Sequence, residues 1–172
     1  MFLSPSPTVG INHFIESIHK GIMLDDKMYS TDNVYIFGSS FGGGVALVLD
    51  DTPHLKKVCA VSPVVSYSQV KGIETLGAYL QTNFPNGYRF RPEEWEKLIH
   101  DDLYCPLKDT KLPSYKIMIV AGKNDDQIMF SDLKQYAVDN GINNYLVEDT
   151  GHITPSRVSQ DLFAKIILFF NK

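Results

Sequence analysis

Residues 33–49 constrain the fold of this 172-residue chain more than any other stretch. Asn33-Val34-Tyr35-Ile36-Phe37 is a β-branched and aromatic run, Gly38-Ser39-Ser40-Phe41-Gly42 follows it, and Gly43-Gly44-Val45-Ala46-Leu47-Val48-Leu49 is small and aliphatic. The first run reads as a strand and the last as a helix. Passing from one to the other within five residues forces the middle residue, Ser40, into a strained backbone conformation. The flanking glycines leave room for the turn and for a ligand above it. A Gly-rich strand-to-helix turn also suits a phosphate cradle or a plain tight turn, so the pentapeptide alone leaves its chemistry open.

Two later segments narrow that choice. Lys116-Ile117-Met118-Ile119-Val120-Ala121 is a second buried-strand run, and Gly122-Lys123-Asn124-Asp125-Asp126-Gln127-Ile128 sets carboxylates just past its C-terminal end. Tyr145-Leu146-Val147-Glu148 then leads into Asp149-Thr150-Gly151-His152, with the imidazole in a loop before the last helix. The order along the chain is Ser, Asp, His. A serine hydroxyl becomes an effective nucleophile when a base takes its proton, and imidazole, which ordinarily titrates near neutrality, suits that task. A carboxylate bonded to the far ring nitrogen fixes the tautomer and stabilises the imidazolium.

That order, with each member at the carboxyl end of a separate apolar strand, resembles the α/β-hydrolase superfamily from about residue 8 to the C-terminus. Within it the chain is most similar to the catalytic domain of the prolyl oligopeptidase group. Residues 34–43, Ala60-Val61-Ser62-Pro63-Val64-Val65 and Gly122-Lys123-Asn124-Asp125-Asp126-Gln127-Ile128 carry the likeness. The resemblance implies a serine hydrolase acting on a small peptide or ester, with Ser40 as nucleophile, His152 as base and Asp125 as the orienting acid. Asp125 is preferred to Asp126 because the family's spacing places the acid three residues after the glycine that ends the strand. The resemblance also implies that the Phe41 backbone N–H serves the oxyanion, and that no cofactor takes part.

The expected fold class is α/β: a partial α/β-hydrolase fold with a mostly parallel sheet flanked by helices, as a single domain over 1–172. In the family, several strands and a loop donating the second oxyanion N–H precede the strand that leads to the serine. Here a helix from Thr8 to about Asp26, with Phe14, Ile15, Ile18 and Ile22 on one face, takes most of the residues before Ser40, so those N-terminal strands are expected to be lacking. Two readings follow. One is a serine hydrolase completed by an upstream segment or another chain; the other is a non-catalytic remnant that serves in binding or assembly. Strand 33–37 has the composition of a central strand buried on both faces, yet it would carry a bare edge. Pairing into a homodimer, or with a partner that supplies the missing strands, is therefore expected.

The remaining elements alternate. Helix 41–50, strand 57–62, strand 116–121, helix 130–139, strand 143–148 and helix 156–170 are expected, the last with Val158, Leu162, Ile166 and Phe170 as its core stripe. Residues 66–112 break the rhythm with two helices, about 72–83 and 92–102, that form a cap-like insertion. Its Tyr67, Tyr79, Phe84, Tyr88, Phe90, Trp95 and Tyr104 suit either lining an apolar pocket or packing the helices together.

At 44% hydrophobic and 21% charged residues the chain can bury one core. A net charge of −4 without Lys/Arg clusters argues against nucleic acid as a partner. No run reaches membrane-spanning length and residues 1–7 lack a signal-peptide pattern, so no membrane association and a cytoplasmic location are expected. His13, His19, His54 and His100 lack ligand spacing, and Cys59 and Cys105 form no C-x-x-C, so neither a metal site nor a disulfide is expected.

Overall fold

The computed structural model describes residues 4–101 and 103–172. Helix α1 (Pro7–Lys20) starts behind Ser6 with a proline in its first turn, and it buries Ile11 and Ile18. It is shorter than the sequence predicts: Gly21, at φ 91°, ends it, and Phe14 is exposed rather than buried. Strands β1 (Ile22–Leu24) and β2 (Lys27–Tyr29) pair antiparallel where the helix was expected to continue. Their turn is Asp25-Asp26, both left-handed at φ 47° and 59°. A two-residue hairpin needs positive φ at both positions, which Asp tolerates better than most residues. Asp-Asp is a weaker turn signal than Asn-Gly, so the local pattern reads as helix.

The next elements are β3 (Val34–Ser39), α2 (Phe41–Leu47), β4 (Leu55–Val61), α3 (Ile73–Asn83), α4 (Pro92–His100), β5 (Ile117–Gly122), α5 (Phe130–Asp139), β6 (Asn144–Glu148) and α6 (Gln160–Asn171). The sheet runs β3-β4-β5-β6 with every pairing parallel. Successive residues of a strand face opposite ways, and here they feed two cores. Ile36, Val58, Ala60, Ile117 and Ile119 pack on the side of α1, α2, α4 and α5. Cys59, Val61, Met118 and Val120 pack on the other side, against Leu162, Ile166 and Phe169 of α6. Each fully buried aliphatic side chain stabilises by about 1.5–3 kcal/mol, so β4 and β5, covered on both faces, anchor the sheet. Helix α6 begins later than the sequence suggests, because Pro155–Arg157 is a separate 3₁₀ turn and the Ser159 side chain accepts the Leu162 N–H at 3.1 Å as an N-cap. Phe169 takes the buried place expected of Phe170. Among the described residues no helix is long and apolar enough to cross a membrane.

Strand β3 departs most from its expected surroundings. Among the described residues it is an edge strand with one covered face: Ile36 is 9% exposed, whereas Tyr35 and Phe37 are 48% and 39% exposed. The Tyr35 ring meets Phe170 at 5.6 Å. Phe170 shares one side of α6 with Phe163 and Ile167, both of which are exposed. A parallel sheet normally has both faces covered, which is why a β-branched and aromatic strand reads as central.

Candidate active site

Ser40 sits between β3 and α2 at φ 54°, ψ −123°, a region that costs a non-glycine residue about 1–3 kcal/mol. Its neighbours hold it there. The Ser40 N–H donates to the Val61 carbonyl at 2.9 Å, and the Ser40 carbonyl accepts the Gly44 and Val64 N–H groups, each at 3.1 Å. The turn also needs glycine at position 38, where a Cβ would stand 2.5 Å from the Gly42 carbonyl oxygen.

Asp125 follows β5 and is buried, as is His152 in the loop after β6. One carboxylate oxygen, Oδ1, accepts the Gln127 and Ile128 N–H groups at 3.0 and 2.9 Å. The other, Oδ2, lies 2.8 Å from His152 Nδ1. Burial alone would push the Asp125 carboxyl up, but the hydrogen bonds from His152, Ile128 and Gln127 outweigh it and hold the group below the usual carboxylate range. Asp126, beside it, is exposed.

The acid loop and the histidine loop are tied together. The Lys123 N–H donates to the Glu148 carbonyl and the Asn124 N–H to the Thr150 carbonyl, both at 2.9 Å, and Asn124 Nδ2 donates to Asp149 Oδ1 at 3.0 Å. Only glycine fits at the crossing, because a Cβ on Gly122 would lie 2.2 Å from the Gly151 carbonyl oxygen.

Two serines that sequence reasoning missed complete this bracing. Ser39 Oγ donates to the Ile153 carbonyl at 2.8 Å, and the Ile153 N–H donates to Ser62 Oγ at 3.2 Å. Two hydroxyls from separate strand ends thus grip the residue that follows His152. Ser62 is fully buried and left-handed, at φ 42°. The bonded residues are 114 and 91 positions apart in the chain, so no local pattern carries the signal.

Ser40 and His152 line one cavity of about 630 Å³ beneath residues 66–112. Asp125 stands behind the imidazole, on Nδ1, which leaves Nε2 as the ring nitrogen available to the cavity. The Phe41 ring lies 5.7 Å from Tyr67 and 6.2 Å from Trp95, joining the serine turn to residues 66–112. The aromatic candidates divide between the two roles open to them. Tyr79, Phe84, Tyr88 and Trp95 line the cavity, whereas Phe90 stacks on Trp95 at 5.2 Å. The Tyr67 hydroxyl donates to the Leu103 carbonyl at 2.8 Å, and that of Tyr104 to Asn12 Oδ1 at 2.7 Å. The cysteines stand apart from the cavity: burial pushes the Cys59 thiol up to about 12, and Cys105 Sγ donates to the Val65 carbonyl at 3.1 Å. Among the described residues, no cluster of three His, Cys, Asp or Glu is placed to hold a metal ion.

No family model and no curated protein matches the sequence. Solved structures do. Dipeptidyl peptidase 4 of Porphyromonas gingivalis superposes with a TM-score of 0.57 at 15% identity, over 98% of this chain and 23% of its own. A puromycin-hydrolyzing peptidase of Mycobacterium tuberculosis gives 0.56 at 14%, over 95% of this chain and 26% of its own. The alpha/beta hydrolase GrgF of Penicillium sp. sh18 gives 0.57 at 12%, over 96% of this chain and 72% of its own. The chain therefore spans about a quarter of the length of the two peptidases. The shared architecture is a partial α/β-hydrolase fold, in which a four-stranded parallel sheet carries helices on its faces.

Proposed function

We propose that this chain, which has the α/β-hydrolase fold, is the part of a serine hydrolase that carries its reacting groups, and that it cleaves peptide or ester bonds. The observation that supports this best is the 2.8 Å contact between Asp125 Oδ2 and His152 Nδ1, with His152 and Ser40 on the same cavity. Ser40 Oγ attacks the carbonyl carbon while its proton passes to His152 Nε2, and the ionised Asp125 stabilises the imidazolium. The carbonyl π electrons become an oxyanion that takes a hydrogen bond from the Phe41 N–H. Collapse breaks the bond to the leaving group, which receives the proton from Nε2, and leaves an acyl ester on Ser40. Water, deprotonated by the same nitrogen, then adds to that ester; the serine departs and takes the proton back.

A hydrolase of this fold uses two oxyanion donors, and loss of one typically costs about 10²–10³ in rate. The full rate therefore needs a second donor besides Phe41. The same proposal covers assembly: a second copy of the chain covers the outer face of β3. Tyr35 and Phe37 are exposed on a sheet edge, Tyr35 meets Phe170, and Phe163 and Ile167 are exposed on the same side of α6; two-fold pairing across β3 would bring these apolar groups of each copy together.

Reaction with an alkyl fluorophosphonate tests the chemistry. The wild-type chain is expected to be labelled at Ser40, and Ser40→Ala to take no label. Label on another serine, with Ser40 untouched, overturns the assignment.

A further inference from the structure

The cavity beside Ser40 carries more information about substrate than the reaction type does. Its wall on the side of residues 66–112 is built mainly by Val70, Ile73, Leu76, Leu80, Phe84 and Trp95, with the neutral phenol rings of Tyr79 and Tyr88 beside them. Among the described residues lining the cavity none is Asp, Glu, Lys or Arg, and His152 is engaged by Asp125. The polar groups that do reach it, such as Gln127 and Thr154, are uncharged.

From this wall we infer that the group seated beside Ser40 is uncharged and apolar, an aromatic or medium-length aliphatic side of a neutral ester or internal amide. This inference rests on the hydrolase reading for the chemistry, and on the wall alone for selectivity. A free amino or carboxyl terminus placed there would lose its water without meeting an opposite charge, an arrangement proteins avoid. An aliphatic group instead gains from every carbon it buries, roughly fourfold in affinity per methylene. The volume, about 630 Å³, lies within the usual range for small-molecule sites and exceeds what a single methyl or hydroxyl needs. The occupant therefore extends from the scissile bond along α3, toward Leu76 and Leu80.

Trp95 is the only tryptophan of the chain and lies on this wall, so its fluorescence reports occupancy without any chemistry. Two amides of equal length serve as probes: N-benzylheptanamide, and N-benzyl-6-aminohexanamide, in which a terminal ammonium that is cationic at neutral pH replaces the last methyl group. Titrated into the Ser40→Ala protein, the neutral amide should bind at least tenfold more tightly. Leu80→Glu, on a half-buried wall position, should raise affinity for the cationic amide at least tenfold and weaken the neutral one. Equal affinities, tighter binding of the cation, or no Trp95 response to either probe would overturn the inference. If Leu80→Glu does not fold, the comparison within Ser40→Ala still decides. Because binding is read in Ser40→Ala, without chemistry, a wild-type chain that fails to react with the fluorophosphonate alongside selective amide binding removes the hydrolase reading alone. Serine labelling alongside unselective amide binding removes only the substrate class.

Discussion

The cavity has two flanks that are ordered in different ways. On the side of β5 and β6, Asp125 satisfies both carboxylate oxygens, and Ser39 and Ser62 hold the backbone after His152. That flank is braced from within the chain. On the side of β3, Ile36 is sealed under the helices while Tyr35 and Phe37 on the reverse face stay exposed. Apolar surface left in water forgoes about 25 cal/mol per Å², so this flank gains from any surface that covers it. His152 and Asp125 keep their geometry by hydrogen bonds already made, whereas the strand that leads into Ser40 has stabilisation still to be won.

The largest effect should come from breaking the braced flank at its centre. Asp125→Asn keeps the size of the side chain but removes the acceptor that orients His152, and kcat/KM is expected to fall by about 10⁴. The same variant tests the electrostatics. The Asp125 carboxyl is held below its ordinary value in the folded chain, so its contribution to stability is complete above the unfolded carboxylate value of about 3.9 and disappears as pH falls through the lower folded value. Denaturant unfolding followed from neutral pH into acid should show this loss in the wild-type chain and less of it in Asp125→Asn. Identical acid dependence would mean that the buried carboxylate adds nothing to the braced flank.

The bare flank predicts a change in assembly. The wild-type chain should sediment as a dimer at micromolar concentration, and Tyr35→Asp combined with Ile167→Asp should sediment as a monomer. Both positions are exposed in the single chain; Ile167→Asp should cost the monomer about 0.5 kcal/mol, and Tyr35→Asp, which gives up the ring contact with Phe170, about 0.5–1.5 kcal/mol, which leaves the monomer folded. A well-folded wild-type monomer under those conditions would erase the contrast between the flanks.

The smallest effect is expected at the outer end of the bracing. Ser39→Ala deletes one donor to the Ile153 carbonyl and should cost about 0.5–1.5 kcal/mol. Hydrogen exchange at the Ile153 amide should accelerate, and labelling of Ser40 should slow without being lost. If exchange at Ile153 is unchanged, the histidine loop is held by Ser62 and the acid loop without help from Ser39.

Ser40, Asp125 and His152 were legible as candidates because each stands just past an apolar run, and such runs are written in neighbouring residues. The parallel sheet of β3 to β6 was legible for the same reason. The hairpin at Asp25-Asp26 was not, since two aspartates mark a left-handed turn only weakly and the residues before them share the helical spacing of α1. The choice of Asp125 over Asp126 came from family spacing, and the fold places Asp125 against His152 with Asp126 in solvent. Local sequence determined the four strands of the parallel sheet and the helices between them, though neither the end of α1 nor the start of α6, because those preferences act within a turn or two of chain. Only the tertiary structure decided that Ser39 and Ser62 meet at Ile153, that Trp95 faces a cavity while Phe90 lies beneath it, and that β3 is covered on one face. Each of these depends on surfaces brought together from distant parts of the chain, and nothing in a residue's immediate neighbours specifies what will pack against it.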